Sequence, residues 1–186
     1  MKSIFLIIIT MISLSCKSQI YPLRNFSELP ENSYEKDINN EFINYEGIWK
    51  GTWNNKVISV TINKITNKYD DSFKYYRDFL IARFKVTDLN NTLILFDNTN
   101  LSDNDVKIEG SGFRKKDDKY SMIYVDRDLC MKSGTILINF TDITKTKLKW
   151  KYIQDENWVD SSCFYHGWTQ ADIPQPLPFD IILTKQ

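Results

Sequence analysis

Apolar and polar residues alternate along most of this chain with a period of two, which places successive side chains on opposite faces of a β-strand. The clearest case is the segment 147–152, in which Leu148, Trp150 and Tyr152 alternate with three lysines. The alternating segments are joined by short polar turns, and no helix of useful length separates them. The pattern therefore predicts an antiparallel meander and argues against parallel strands connected by helices.

We predict eight or nine strands with one apolar and one polar face each. After a first strand around Trp49 and Trp53, they cover residues 56–65, 76–86, 92–96, 106–113, 119–126, 135–140, 147–152 and 179–183. An open sheet of this width would leave two long edges, so we predict an all-β, lipocalin-like barrel, with a β-sandwich as the main alternative. A short N-terminal helix is expected at 37–45, capped by Asp37 with Ile38, Phe42 and Tyr45 on one face.

The first residues have the layout of a bacterial lipoprotein signal. Lys2 precedes an apolar run from Ile4 to Leu14, and Ser15 and Cys16 follow it. We therefore expect a signal peptide at 1–15, a flexible tether at 16–33 and one barrel domain at 34–186. Lipidation of Cys16 would make the membrane a partner and hold the protein in the periplasm, at the outer membrane. In the competing route, an ordinary signal peptidase cuts nearby and Cys16 carries no lipid.

The two remaining cysteines are expected to pair. In an oxidising compartment, Cys130 and Cys163 most simply form a disulfide. The alternative is a metal or redox site that uses Cys163 and His166. That pair supplies only two ligands, and His166 is the sole histidine, so no metal site is predicted.

Charge and motifs narrow the classes of function. The 24 basic and 24 acidic residues balance, which gives no electrostatic basis for binding nucleic acid. No G-x-S-x-G motif occurs, and a catalytic triad would depend on His166 as its only base. We therefore expect a non-enzymatic protein that needs no cofactor.

Aromatic side chains supply the candidate binding residues. Phe84, Trp150 and Tyr152 are predicted on inward faces, and the long loop 155–178 carries Trp158, Tyr165 and Trp168 beside Phe164. An eight-stranded barrel is just wide enough either to pack side chains or to hold one small ligand.

Three hypotheses about function follow. The contents of the barrel interior and the surroundings of His166 would distinguish them. A cavity lined by the inward residues would favour a binder of a small apolar ligand. A filled interior with an exposed aromatic patch would favour an envelope-accessory or protein-interaction domain. Acidic residues converging on His166 in a pocket would favour an enzyme.

Two resemblances add expectations. The segment Asn40-Glu-Phe-Ile-Asn-Tyr-Glu-Gly47-Ile-Trp49 resembles the opening of lipocalin-type barrels, where a short helical turn leads into a Gly-x-Trp motif whose tryptophan closes the barrel base. Nearly the whole chain resembles a family of small secreted Bacteroidota-type lipoproteins of unknown function. The motifs that carry this resemblance are Cys16-Lys-Ser-Gln19, Ile20-Tyr-Pro-Leu23, Leu29-Pro-Glu-Asn-Ser33, Asn39-Asn-Glu41, Gly47-x-Trp-x-Gly-Thr-Trp53 and Phe179-x-x-x-Leu183-Thr-Lys-Gln186. That family implies the compartment and a single domain, but no activity.

Overall fold

The computed structural model describes residues 19–156, 159–169 and 171–186. The strands are β1 (Ile20–Pro22), β2 (Tyr34–Lys36), β3 (Gly47–Trp53), β4 (Lys56–Asp70), β5 (Tyr75–Asp88), β6 (Ile94–Asp97), β7 (Ile108–Phe113), β8 (Tyr120–Asp126), β9 (Lys132–Phe140), β10 (Lys147–Gln154) and β11 (Asp180–Lys185). Two short 3₁₀ turns, Glu41–Asn44 and Arg127–Leu129, complete the secondary structure. The described part of the chain includes no helix with the length and apolar character needed to cross a bilayer.

Eight of the strands close into an antiparallel barrel. The hydrogen-bonded order is β5-β4-β3-β11-β10-β9-β8-β7, and β7 pairs back onto β5 through Ile81↔Glu109 and Ala82↔Ile108. The prediction of an all-β barrel is thereby confirmed, and the alternative of a β-sandwich is wrong. Closure leaves no long free edge among these eight strands, which is the reason a meander of this size forms a barrel.

The barrel has two ends, which we name by the segments gathered there. At the N-terminal end lie the β7–β8 turn (114–119), the β9–β10 turn (141–146) and Arg24, which together line one cleft. The loop end carries the β3–β4 turn (54–55), the β8–β9 connection (127–131) and the long β10–β11 loop (155–179). The antiparallel pairing places these two groups of connections at opposite ends of the strands.

The expected helix at 37–45 is wrong, because only the 3₁₀ turn Glu41–Asn44 forms there. Asn40 adopts a left-handed conformation with φ 52°, which interrupts any helix that starts at Asp37. Asp37 still caps the turn, since its carboxylate accepts hydrogen bonds from the backbone N–H groups of Glu41 (2.6 Å) and Phe42 (3.2 Å). Ile38, predicted on the buried face, is 51% exposed.

The segment expected to be a flexible tether, 16–33, contributes a strand in its described part. β1 pairs in parallel with β2, and β2 pairs in parallel with the start of β5 through Tyr34↔Tyr76. Leu23, which follows β1, is buried in the core. Burial of that side chain attaches the described residues 20–23 to the barrel.

The barrel core is aromatic at the N-terminal end. Trp49 is fully buried, and its indole N–H donates a hydrogen bond to the carbonyl of Tyr45 at 2.7 Å. The rings of Tyr45 and Phe140 lie 4.4 Å apart, and Phe42 meets Tyr120 edge-on at 5.3 Å. These rings close this end of the barrel beneath the 3₁₀ turn.

Candidate functional site

The barrel interior is filled by side chains. Trp150 has no surface accessible to water, and Phe84 and Tyr152 are each 2% exposed. Further interior side chains with no accessible surface come from seven of the eight barrel strands: Ile58, Val60, Ile62, Leu80, Val86, Ile108, Met122, Tyr124, Ile136, Ile138, Leu148 and Leu183. Side chains that line a cavity large enough for water keep some accessible area, so these residues form a packed core.

Two of the interior candidates, Phe84 and Tyr152, belong to an aromatic layer with Tyr124. Tyr152 meets Tyr124 edge-on at 5.7 Å, and Tyr124 meets Phe84 at 6.3 Å. The Tyr152 hydroxyl donates to the Ser133 carbonyl at 2.9 Å, and the Tyr124 hydroxyl donates to Asp126 at 2.8 Å. Desolvation by burial raises the pKa of both tyrosines, so these hydroxyls stay protonated and hydrogen-bonded. Their contacts are those of structural residues.

The aromatic residues of the long loop form a separate cluster. Tyr165 meets Trp168 edge-on at 5.1 Å, and Phe164 lies 5.0 Å from Tyr165. Phe164 is 79% exposed and Trp168 is 49% exposed. We call Phe164, Tyr165 and Trp168 the loop aromatic cluster. Trp158, the third loop candidate, lies outside the described residues. The structure therefore brings together Tyr165 and Trp168, and it places them apart from the three interior candidates.

A disulfide and a docked second half hold this loop on the barrel. Cys163 is bonded to Cys130 of the β8–β9 connection, as predicted, with Cα atoms 5.6 Å apart. After the cluster, Ile173 and Leu177 are buried. The Pro174 carbonyl accepts a hydrogen bond of 2.9 Å from the ammonium of the buried Lys132. The loop is therefore fixed at its base, while the cluster stays in solvent.

The loop is acidic as well as aromatic. Between residues 155 and 180 the chain has Asp155, Glu156, Asp160, Asp172 and Asp180 and no lysine or arginine. Hydrogen bonds from the Ser162 side chain and backbone lower the pKa of Asp160, with a smaller contribution from His166, so this carboxylate is charged at neutral pH. The loop thus carries negative charge in the same segment as the exposed rings, although Asp180 is paired with Lys149.

Within the described residues, no cluster of metal ligands forms around His166. Cys163 is committed to the disulfide, so its thiolate is not available as a partner ligand for His166. His166 is exposed, and its backbone N–H donates to the Cys163 carbonyl at 3.1 Å. The described residues contain no group of three or more His, Cys, Asp or Glu side chains arranged to hold a metal ion.

The N-terminal end carries features that sequence patterns did not single out. A cleft of about 390 Å³ lies there, lined by Arg24, Glu41, Tyr45, Asp117, Asp118, Asn139, Phe140 and Lys145. Arg24 pairs with Glu41 at 2.6 Å and with Asp118, and its guanidinium stacks 3.9 Å above the Phe113 ring. These residues are far apart in sequence, so only the barrel topology could have grouped them.

Comparison with known proteins identifies a family but no activity. The model of a family of unknown function (DUF6705) matches residues 1–186. No curated protein and no solved structure matches the chain.

Proposed function

The chain belongs to this family of unknown function, and we propose from its geometry that it is a lipid-anchored, extracytoplasmic protein-interaction domain. In this proposal the barrel is a solid scaffold, and the loop aromatic cluster contacts the partner. The observation that carries it is the exposure of Phe164 and Trp168 on a loop that is disulfide-bonded to the barrel. Ordering such a loop in advance reduces the entropy lost on binding.

The composition of the loop supports this role. Tryptophan and tyrosine are enriched among the residues that dominate the binding energy of protein interfaces. The acidic side chains of the loop and the absence of lysine and arginine from 155–180 favour a basic partner surface, with arginine or lysine side chains placed over the rings. The anchor in this proposal is Cys16, at the end of the apolar run 4–14.

Site-specific photocrosslinking tests the proposal in the native envelope. A photoreactive phenylalanine analogue replaces Phe164 in one variant and Ile123, 50% exposed on the barrel wall, in the control variant. We expect position 164 to give a protein adduct of one defined mass that is lost when Trp168→Ala is added and decreases as salt is raised. Absence of an adduct at position 164, or identical adducts at both positions, would refute the proposal.

A binder of a small amphipathic molecule is the second candidate. It is favoured by the buried indole N–H of Trp150, which has no hydrogen-bond partner among the described residues and would donate to an acceptor atom of such a ligand. Native mass spectrometry of residues 17–186 produced in an oxidising periplasm distinguishes the two. Excess mass that disappears on denaturation would establish a bound small molecule. A mass equal to that of the chain with one disulfide would support the solid scaffold.

A further inference from the structure

The β9–β10 turn presents an isoleucine entirely to solvent. Ile143 is 100% exposed, although the turn that carries it is well organised. The Asp142 carboxylate accepts hydrogen bonds from the backbone N–H groups of Thr146 at 3.1 Å and Lys147 at 2.8 Å, and from the Thr146 hydroxyl at 2.7 Å. A turn fixed in this way cannot easily fold the isoleucine back onto the barrel.

Exposed lysines without acidic partners lie on this turn, at the start of β10 and on the β7–β8 turn. They are Lys145, Lys147, Lys115 and Lys116, and the β7–β8 turn lies across the cleft that Asp117, Asp118 and Lys145 line. None of these four ammonium groups forms an ion pair with a carboxylate in the described part of the chain. The Lys145 ammonium instead lies 5.8 Å over the Phe140 ring.

Two of the three acidic residues on the same two turns, Asp117 and Asp118, are ion-paired within the structure, and the third, Asp142, is not. Asp117 pairs with Arg114 at 3.1 Å and Lys119 at 3.5 Å, and Asp118 pairs with Arg24. Hydrogen bonds from Thr144, Thr146 and the neighbouring backbone hold the pKa of Asp142 far below its usual range. Asp142 therefore stays charged, but residues 114–119 and 141–147 carry six cations against three carboxylates, so this surface is basic on balance.

We propose that the N-terminal end of the barrel docks on a lipid bilayer that contains anionic lipids, with Ile143 inserted among the headgroups. Charge complementarity favours this occupant, because clustered lysines are attracted to anionic lipid surfaces. An exposed apolar side chain among cations is typical of segments that lie in the membrane interface. Residues 1–18 precede β1, which pairs at this same end of the barrel, so the proposal also agrees with the proposed anchor but does not require it.

Vesicle binding of residues 19–186 without any acyl chain tests the proposal. This form contains all the strands of the barrel. At low salt we expect binding to vesicles of phosphatidylglycerol and phosphatidylcholine but not to vesicles of phosphatidylcholine alone. Since each lysine near an anionic surface contributes about fivefold to the partition coefficient, Lys115→Ala with Lys116→Ala should reduce it roughly 25-fold. Ile143→Asp should reduce it by about tenfold or more.

Two matched variants control for net charge and for loss of an exposed apolar side chain. Lys50→Ala with Lys151→Ala removes two exposed lysines from the barrel wall, and Leu93→Asp changes a residue that is 59% exposed at the loop end. Both should change binding less than twofold. Equal binding to the two vesicle types, no binding to either, or equal losses in the control variants would overturn the proposal. None of these outcomes bears on crosslinking at Phe164, so failure here is distinguishable from failure of the proposed interaction function.

Discussion

The environment of Glu35 in the fold shifts the pKa of its carboxyl. It lies on β2 opposite Arg77, half-buried against the start of β5. Desolvation raises the pKa of its carboxyl to about 6, Arg77 opposes this rise, and Asp78 adds to it. The folded state therefore holds the Glu35 proton more tightly than the unfolded chain does.

This shift predicts a pH-dependent gain from Glu35→Gln. Because the folded pKa is raised, the stability linked to Glu35 is fully present below about pH 4.5 and is lost as pH rises through about 6. Relative to wild type, the variant should gain up to about 2 kcal/mol of unfolding free energy between these limits. Urea denaturation of both proteins at pH 4 and pH 7 measures the difference, and a difference independent of pH would contradict the prediction.

At the scale of elements, the barrel strands could be predicted from local sequence patterns. The short strands β1 and β2 could not, because long-range contacts hold them in place. The eight barrel strands have alternating faces, and Asn54 and Asn55, with φ of 45° and 58°, form the hairpin turn that asparagine favours. β1 and β2 have three residues each, too few for a periodicity. Asp78 on β5 helps to hold this segment, since it accepts hydrogen bonds from the Tyr34 hydroxyl and from the backbone N–H of Asp37.

The disulfide predicts a stability effect of known order. Cys130 and Cys163 are separated by 33 residues, so the chain-entropy model gives roughly 3–4 kcal/mol for the bond. Cys130→Ser combined with Cys163→Ser should lower the free energy of unfolding by about that amount and speed hydrogen exchange in the loop. Reduced wild type is the control and should behave like the double variant. A loss below about 1 kcal/mol would show that Ile173 and Leu177 dock the loop without the bond.

For the whole molecule, composition and alternation indicated a single all-β barrel. They could not indicate whether the interior is filled, or that the loop aromatic cluster and Ile143 lie at opposite ends. Alternation correctly placed Phe84, Trp150 and Tyr152 inside. Whether an eight-stranded interior keeps a cavity depends on side-chain volumes and strand stagger, which alternation does not encode. The opposite placement of the loop aromatic cluster and Ile143 follows from strand pairing alone, so no local motif could reveal it.

At the scale of the whole molecule, we predict that Cys16 anchors the protein to the membrane. Cys16→Ala should move the processed protein from the membrane to the soluble fraction at moderate salt, because the acyl chains would contribute most of the membrane affinity. Fractionation of cells that express wild type or variant, followed by immunodetection, measures this. Ser18→Ala is the control and should stay with the membrane. Unchanged fractionation of Cys16→Ala would argue against lipidation.

The position of β1 in the sequence limits how far the barrel can lie from the membrane if Cys16 carries the lipid. β1 begins at Ile20, so only Lys17, Ser18 and Gln19 separate it from Cys16. A linker of three residues is about 10 Å long when fully extended. A tilted strand of ten residues such as 56–65 spans roughly 25 Å along the barrel axis. Once anchored through Cys16, the molecule could sample only a thin layer above the bilayer, and a partner of the loop would have to present its surface some 25–35 Å from the headgroups.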